Sequence, residues 1–245
     1  MEENYTIYQQ DYIDQIREEY EKPIIDIVDE NSNFIHPSAI IGTNVIIGKN
    51  NYIGANCYIV GNTTIGDNNH FEAFCSVGTF PEHRSFFNKK EMKGVVIGDN
   101  NVFREFITIN SGCYQNTVLG NEIWMLRNSH VGHDSTIYDK TTLSCNVLIG
   151  GHSIVGEDVN FGLGSICHQF SVIGGGSMIG MGAIITKSAN ISPFGVYVGN
   201  PAKYLKVNTH KLKNADMFTH QSYSMMHITS IEKMEKMKLE IANKK

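Results

Sequence analysis

The chain has 245 residues, of which 41% are apolar, with a formal net charge of −5 and a pI near 6.0. That length suits one large domain with small appendages, and the acidic balance argues against a nucleic-acid-binding surface, which carries a basic patch. No stretch approaches the ~18 apolar residues of a membrane span, and the Met-Glu-Glu-Asn start is unlike a signal peptide. With five cysteines (57, 75, 113, 145 and 167) and no CxxC pair, the expectation is a cytoplasmic protein in a reducing compartment.

Residues 1–33 read as an acidic N-terminal extension, with a helix near Gln10–Tyr20 that Pro23 ends. A period of six then begins. Stepping from Ile35 gives Ile41, Ile47, Ile53, Ile59, Ile65, Phe71 and Val77; the run resumes at Ile97, Phe103 and Ile109, and again from Leu119 to Ile191. Short side chains fall four places after many of these markers, among them Ala39, Thr63, Cys75, Ser129, Ser153 and Ser177. Neither the 3.6-residue period of a helix nor the two-residue period of a strand fits this pattern. Three hexads closing a triangular coil do fit it, so residues 34–198 are expected to form an all-β, left-handed parallel β-helix of about eight coils.

Two segments leave the register. Residues 79–94 carry charge and three phenylalanines, and residues 110–117 form a shorter break. Loops held out from a rigid scaffold commonly bind ligands, and the first offers Glu82, His83 and Arg84. Inside the third block of hexads lie His130, His133, His152 and His168. An 18-residue coil sets His152 one coil beyond His133 and one residue further along the same edge, about 4.8 Å away along the axis. Asp134 adjoins His133, and a neutral imidazole is the obvious group to take a proton from a sugar hydroxyl or ammonium. The rival use of these histidines is a metal site built on His130-x-x-His133, though no regular Cys or carboxylate partner accompanies them. The tail, 199–245, is polar, with a helical pattern at Ile231–Ala242.

Specific motifs carry a resemblance: Ile97-Gly98-Asp99-Asn100-Asn101-Val102-Phe103-Arg104-Glu105, Asn128-Ser129-His130-Val131-Gly132-His133-Asp134, Gly150-Gly151-His152 and Cys167-His168-Gln169-Phe170. Over about residues 34–208 the chain resembles the UDP-N-acetylglucosamine O-acyltransferases of lipid A synthesis and related hexapeptide-repeat nucleotide-sugar acyltransferases. The resemblance implies a homotrimer in which His133 is the catalytic base, supported by Asp134. It implies that Gly150 or a neighbour supplies an N–H to the thioester oxyanion, that His152 and His168 lie in the substrate cleft with His130 and Gln169, and that no metal takes part. Two stretches depart from it. Glu82-His83-Arg84-Ser85 stands where that family has Gln-Asp-Leu-Lys, and Leu212-Lys213-Asn214-Ala215-Asp216-Met217 where it has Leu-Lys-Arg-Arg-Gly-Phe. Gly199-Asn200-Pro201-Ala202-Lys203 is instead similar to a segment of CoA-dependent hexapeptide acetyltransferases, which makes Gly199, Asn200 and Lys203 candidate cofactor contacts. The expected function is therefore transfer of an acyl group from a thioester, with CoA as the leading donor, to the amino group of a nucleotide-linked sugar for cell-surface polysaccharide. The alternative is an acyl-carrier-protein-dependent O-acyltransferase; a third reading is a zinc-binding or non-catalytic β-helix.

Overall fold

The computed structural model describes residues 29–86, 91–187, 189 and 191–243. The helix expected at residues 10–20 lies outside them, as does part of the 79–94 segment. From β1 (Phe34–Ile35) to β23 (Ile184–Ile185) the chain winds in strands of two to four residues, and each as far as the twentieth pairs in parallel with the strand three places on. Phe34 lies opposite Tyr52 and Ile35 opposite Ile53, so a coil takes eighteen residues. Where His70 pairs with Val102 and Val102 with Trp124, the coils are fourteen and four residues longer, and these excesses are the two insertions. The architecture is the left-handed parallel β-helix read from the hexads. β24 (Gly195–Val198) starts a ninth turn beneath Met178 and Ile179, and β25 (Lys203–Val207) folds back on it antiparallel.

Every hexad marker lies in a strand or, for Ile191, in an isolated bridge to Ile173. From Ile53 onward all of them are at most 2% exposed and fill the axis of the prism. Phe71 and Phe103 stack there at 4.6 Å. The corners need a left-handed residue, and Asn50, Asn56, Asn68, Asn100, Asn128 and Asn146 meet that need with φ between 55° and 61°, a conformation asparagine tolerates better than most side chains.

Another set of asparagines stands inside, at positions where the short-side-chain pattern lapses. Asn33, Asn51, Asn69 and Asn101 are buried and stacked. Asn51 Oδ1 accepts the Asn69 N–H at 2.8 Å, and Asn69 Oδ1 accepts the Asn101 side-chain amide at 2.8 Å. Asn69 Nδ2 donates to Gly98 O at 2.9 Å. This ladder satisfies backbone groups that a corner leaves unpaired.

After α1 (Thr209–Asn214), the long α2 (Met217–Asn243) begins well before the expected Ile231. Asp216 Oδ1 accepts the Thr219 N–H at 2.7 Å, capping the helix start. Buried Tyr223, Met234 and Met237 form the stripe that seats α2, which packs on β21 (Val172–Ile173). Docking supplies what the polar sequence from 217 to 230 does not announce. Among the described residues no helix is long and apolar enough to cross a membrane.

Replacing Asn69 with Ala strands the amides of Asn101 and the carbonyl of Gly98. We expect a loss of about 1–3 kcal/mol in denaturant unfolding; a wild-type midpoint would refute a structural role for the ladder.

Candidate active site

The chemistry concentrates on the edge where the second face, containing β14 (His130–Val131), β17 (Leu148–Ile149) and β20 (Ile166–Cys167), turns into the third. Three successive coils place His133-Asp134, Gly151-His152 and Gln169-Phe170 on this edge. Asp134, His152 and Phe170 take its left-handed corner positions, with φ of 61°, 60° and 62°. Both insertions leave the prism at the same edge, after β8 (Ser76–Thr79) and β11 (Thr108–Asn110), and overhang it. His133 and His152 are consequently 5% and 2% exposed, and Asp134 is fully buried.

His133 Nδ1 lies 2.7 Å from Asp134 Oδ2. An ionised carboxylate only accepts, so Nδ1 carries the proton and Nε2 keeps its lone pair. The second insertion holds Asp134 in place. The N–H groups of Cys113, Tyr114 and Gln115 donate to its carboxylate at 3.0, 2.7 and 2.8 Å. Gln115 Nε2 donates to the Asp134 carbonyl at 2.7 Å, and the Asp134 N–H donates to Thr117 Oγ1 at 2.9 Å. Burial pushes the Asp134 carboxyl upward, but the hydrogen bonds from His133, Gln115 and Tyr114 outweigh it and hold the group below its usual range. Successive N–H groups converging on one anion form a nest, and here the anion is a side chain.

His152 stacks on Phe170 at 4.4 Å with the rings 6° apart, and meets the His133 ring edge-on at 4.9 Å. Burial, only partly offset by Asp134, lowers its pKa to about 4, so the ring is neutral at physiological pH. Its Nδ1 is buried without a hydrogen-bond partner, 3.8 Å from Asp134 Oδ2. His83, from the first insertion, approaches His133 edge-on at 5.5 Å and packs against Phe86 at 5.2 Å.

The remaining sequence candidates sort by position. His130 faces outward from the second face; its Nδ1 pairs with Thr108 Oγ1 at 2.7 Å, its Nε2 stands 3.9 Å from Glu82 Oε2, and burial lowers its pKa. His168 and Gln169 are exposed on the rim two coils from His133, where His168 Nδ1 donates to Gln169 O at 2.8 Å. Arg84 is exposed.

Gly150 and Gly151 differ in what their N–H groups meet. The Gly150 N–H is spent on the Cys167 carbonyl at 2.9 Å, so Gly150 has no donor to offer an oxyanion. The neighbouring Gly151 N–H has no acceptor among the described residues, and the residue sits against the His133 ring: a Cβ built on Gly151 would lie 2.8 Å from His133 Cε1 and Nε2. Gly199, Asn200 and Lys203 lie apart from this edge. They are exposed in the hairpin below β23, where Ile184 N donates to Gly199 O at 3.0 Å. That hairpin is about four coils, or ~19 Å, from His133.

The His130-x-x-His133 pair does not converge as a metal site. Among the described residues the one group of three potential ligands whose atoms lie within 4.8 Å of one another is Cys113, His133 and Asp134. Sequence reasoning missed Cys113, Tyr114 and Gln115, although the shared phase of the two register breaks and of His133 points to one edge.

Residues 44–79 match the family model described as bacterial transferase hexapeptide (six repeats). Over 152 residues the chain is 36% identical to the acyl-[acyl-carrier-protein]–UDP-N-acetylglucosamine O-acyltransferase of Burkholderia lata, covering 61% of this chain and 56% of that protein. The chain thus matches its curated relatives over little more than half their length. The crystal structure of the UDP-N-acetylglucosamine O-acyltransferase from Moraxella catarrhalis RH4 superposes with a TM-score of 0.63 at 32% identity, over 83% of this chain and 81% of that one. The enzyme of the same name from Bacteroides fragilis 9343 gives 0.63 at 26% identity, over 85% and 90%. With identity and fold agreeing over four fifths of the Moraxella chain, this protein belongs to the UDP-N-acetylglucosamine O-acyltransferase family of hexapeptide-repeat β-helix proteins.

Proposed function

We propose that the protein transfers an acyl group from an acyl-carrier-protein thioester to a hydroxyl of a UDP-linked N-acetylamino sugar. The observation that carries this reading is the His133–Asp134 dyad, with Nδ1–H given to a clamped carboxylate and Nε2 close to Gly151. The relatives, named as O-acyltransferases that use acyl carrier protein, favour the hydroxyl acceptor over the amine and carrier protein over CoA.

In this reading the acceptor hydroxyl donates to His133 Nε2. As its oxygen attacks the thioester carbonyl, the proton passes to Nε2 and the ionised Asp134 stabilises the imidazolium. Negative charge growing on the carbonyl oxygen takes the Gly151 N–H. Collapse of the tetrahedral adduct forms the ester and breaks the C–S bond, and the departing thiolate recovers the proton from Nε2. Neutral His152 donates or accepts at the sugar without adding charge, while His83, Arg84, His130, His168 and Gln169 line the approach for the nucleotide sugar.

Assembly as a cyclic trimer belongs to the same proposal. Ile40 and Tyr58, and beyond three intervening rungs Leu148 and Ile166, stand outward on the second face at 59, 44, 42 and 36% exposure, two apolar pairs that association of copies covers. Sedimentation equilibrium should return three chains; a stable monomer at micromolar concentration would overturn the assembly.

The donor and acceptor are tested by offering hydroxyacyl carrier protein with UDP-N-acetylglucosamine, and acyl-CoA with a UDP-amino sugar, and weighing the products. Ester from the first pair is expected; amide from the second alone would reverse the proposal. With the substrate in hand, His133→Ala should lower kcat by roughly 10²–10⁴-fold. Asp134→Asn should approach that loss, because the amide no longer fixes the tautomer. Gly151→Ala should lower kcat with the melting temperature little changed, since its methyl meets the base. Wild-type turnover in His133→Ala would remove the dyad from the mechanism.

A further inference from the structure

The side chain of Cys113 has no part in the acyl transfer derived above, yet it reaches the buried end of the dyad. Its Sγ lies 3.7 Å from His133 Nδ1, on the side opposite the acceptor. With Asp134 Oδ2 at 2.7 Å from the same nitrogen, a thiol, an imidazole and a carboxylate surround one point. Their chemistry is that of a zinc ligand set.

We infer that Cys113, His133 and Asp134, whose ligand atoms lie within 4.8 Å of one another, form a three-ligand binding site for a thiophilic divalent cation such as Zn²⁺, and that the cation switches the dyad off. Tetrahedral zinc with bonds of about 2.3 Å to sulfur and 2.0 Å to nitrogen and oxygen holds sulfur and nitrogen about 3.5 Å apart, and nitrogen and oxygen about 3.3 Å apart. The Sγ–Nδ1 distance meets this as it stands. The Nδ1–Oδ2 distance must open by about 0.6 Å, which a small rotation of the His133 ring provides. The Cys113, Tyr114 and Gln115 amides stay on the carboxylate as its outer hydrogen bonds, a common arrangement around ligating carboxylates. Binding releases the Cys113 thiol proton and forms a Zn–S bond. It also moves the imidazole proton from Nδ1, which takes the metal, to Nε2. An Nε2 that carries a proton cannot accept one from a substrate, so the inhibitory consequence rests on the proposed role of His133, whereas the binding does not.

The test uses the full chain, stripped with a chelator, and reads binding rather than turnover. Zn²⁺ titrated against a chromophoric chelator should occupy one tight site per chain, and Co²⁺ in its place should give a thiolate-to-cobalt charge-transfer band. Cys113→Ser should weaken Zn²⁺ binding at least tenfold and abolish the band, while Cys145→Ser should leave both intact. Should Cys113→Ser fold poorly by circular dichroism, the wild-type cobalt spectrum decides alone. Absence of stoichiometric binding, a cobalt spectrum without the thiolate band, or binding that survives in folded Cys113→Ser would each overturn the site.

Discussion

A coil of eighteen residues must bring the chain back over itself one strand spacing further along, and every other feature of this protein depends on that closure. Strands two residues long have little cohesion alone, and most of their hydrogen bonds run to the coils above and below. Stability therefore accrues along the axis, as in other repeat architectures where each unit buries its face only against its neighbours. The same closure forces a left-handed residue at each corner and makes equivalent positions in successive coils stand in columns. The asparagine ladder, the aliphatic axis and the column of Asp134, His152 and Phe170 are three uses of one geometry.

The columns explain how a charged carboxylate is kept inside. A buried carboxylate without partners tends to take up a proton instead of staying charged. Asp134 avoids this because a four-residue excess in the preceding coil turns three consecutive N–H groups toward it. The second insertion thus sets the tautomer of His133, whereas the first brings His83 against the rings from outside. The two insertions are joined at their bases, where Gly94 N donates to Asn116 Oδ1 at 2.9 Å and Thr117 N donates to Gly94 O at 3.0 Å. The roof of the site and the clamp of the dyad are accordingly one hydrogen-bonded unit.

Close packing at this edge also restricts what can stand there. Gly151 lies so near the His133 ring that any side chain would displace it, and its N–H is one the stacking pattern leaves unpaired among the described residues. At Gly150 the strand hydrogen bond runs on to Cys167, and the backbone there is ordinary structure. Adjacent glycines in one motif differ because one ends a strand and the other begins a corner.

The hexad markers by themselves determined the coil, the inward residues and the breaks, because an apolar residue every six positions has one low-energy arrangement. They also held a relation the motifs alone do not reveal: Val77, Ile109 and Val131 are successive third markers, so the material after each must share one edge. Tertiary structure alone decided which atoms met there. The nest of Cys113, Tyr114 and Gln115 around Asp134, the pairing of the Gly150 N–H but not of the Gly151 N–H within the prism, and the separation of Gly199, Asn200 and Lys203 from His133 depend on backbone N–H directions and coil heights. A periodic sequence fixes where a residue stands in the column, but hydrogen bonding between coils decides which of its polar groups remain unspent.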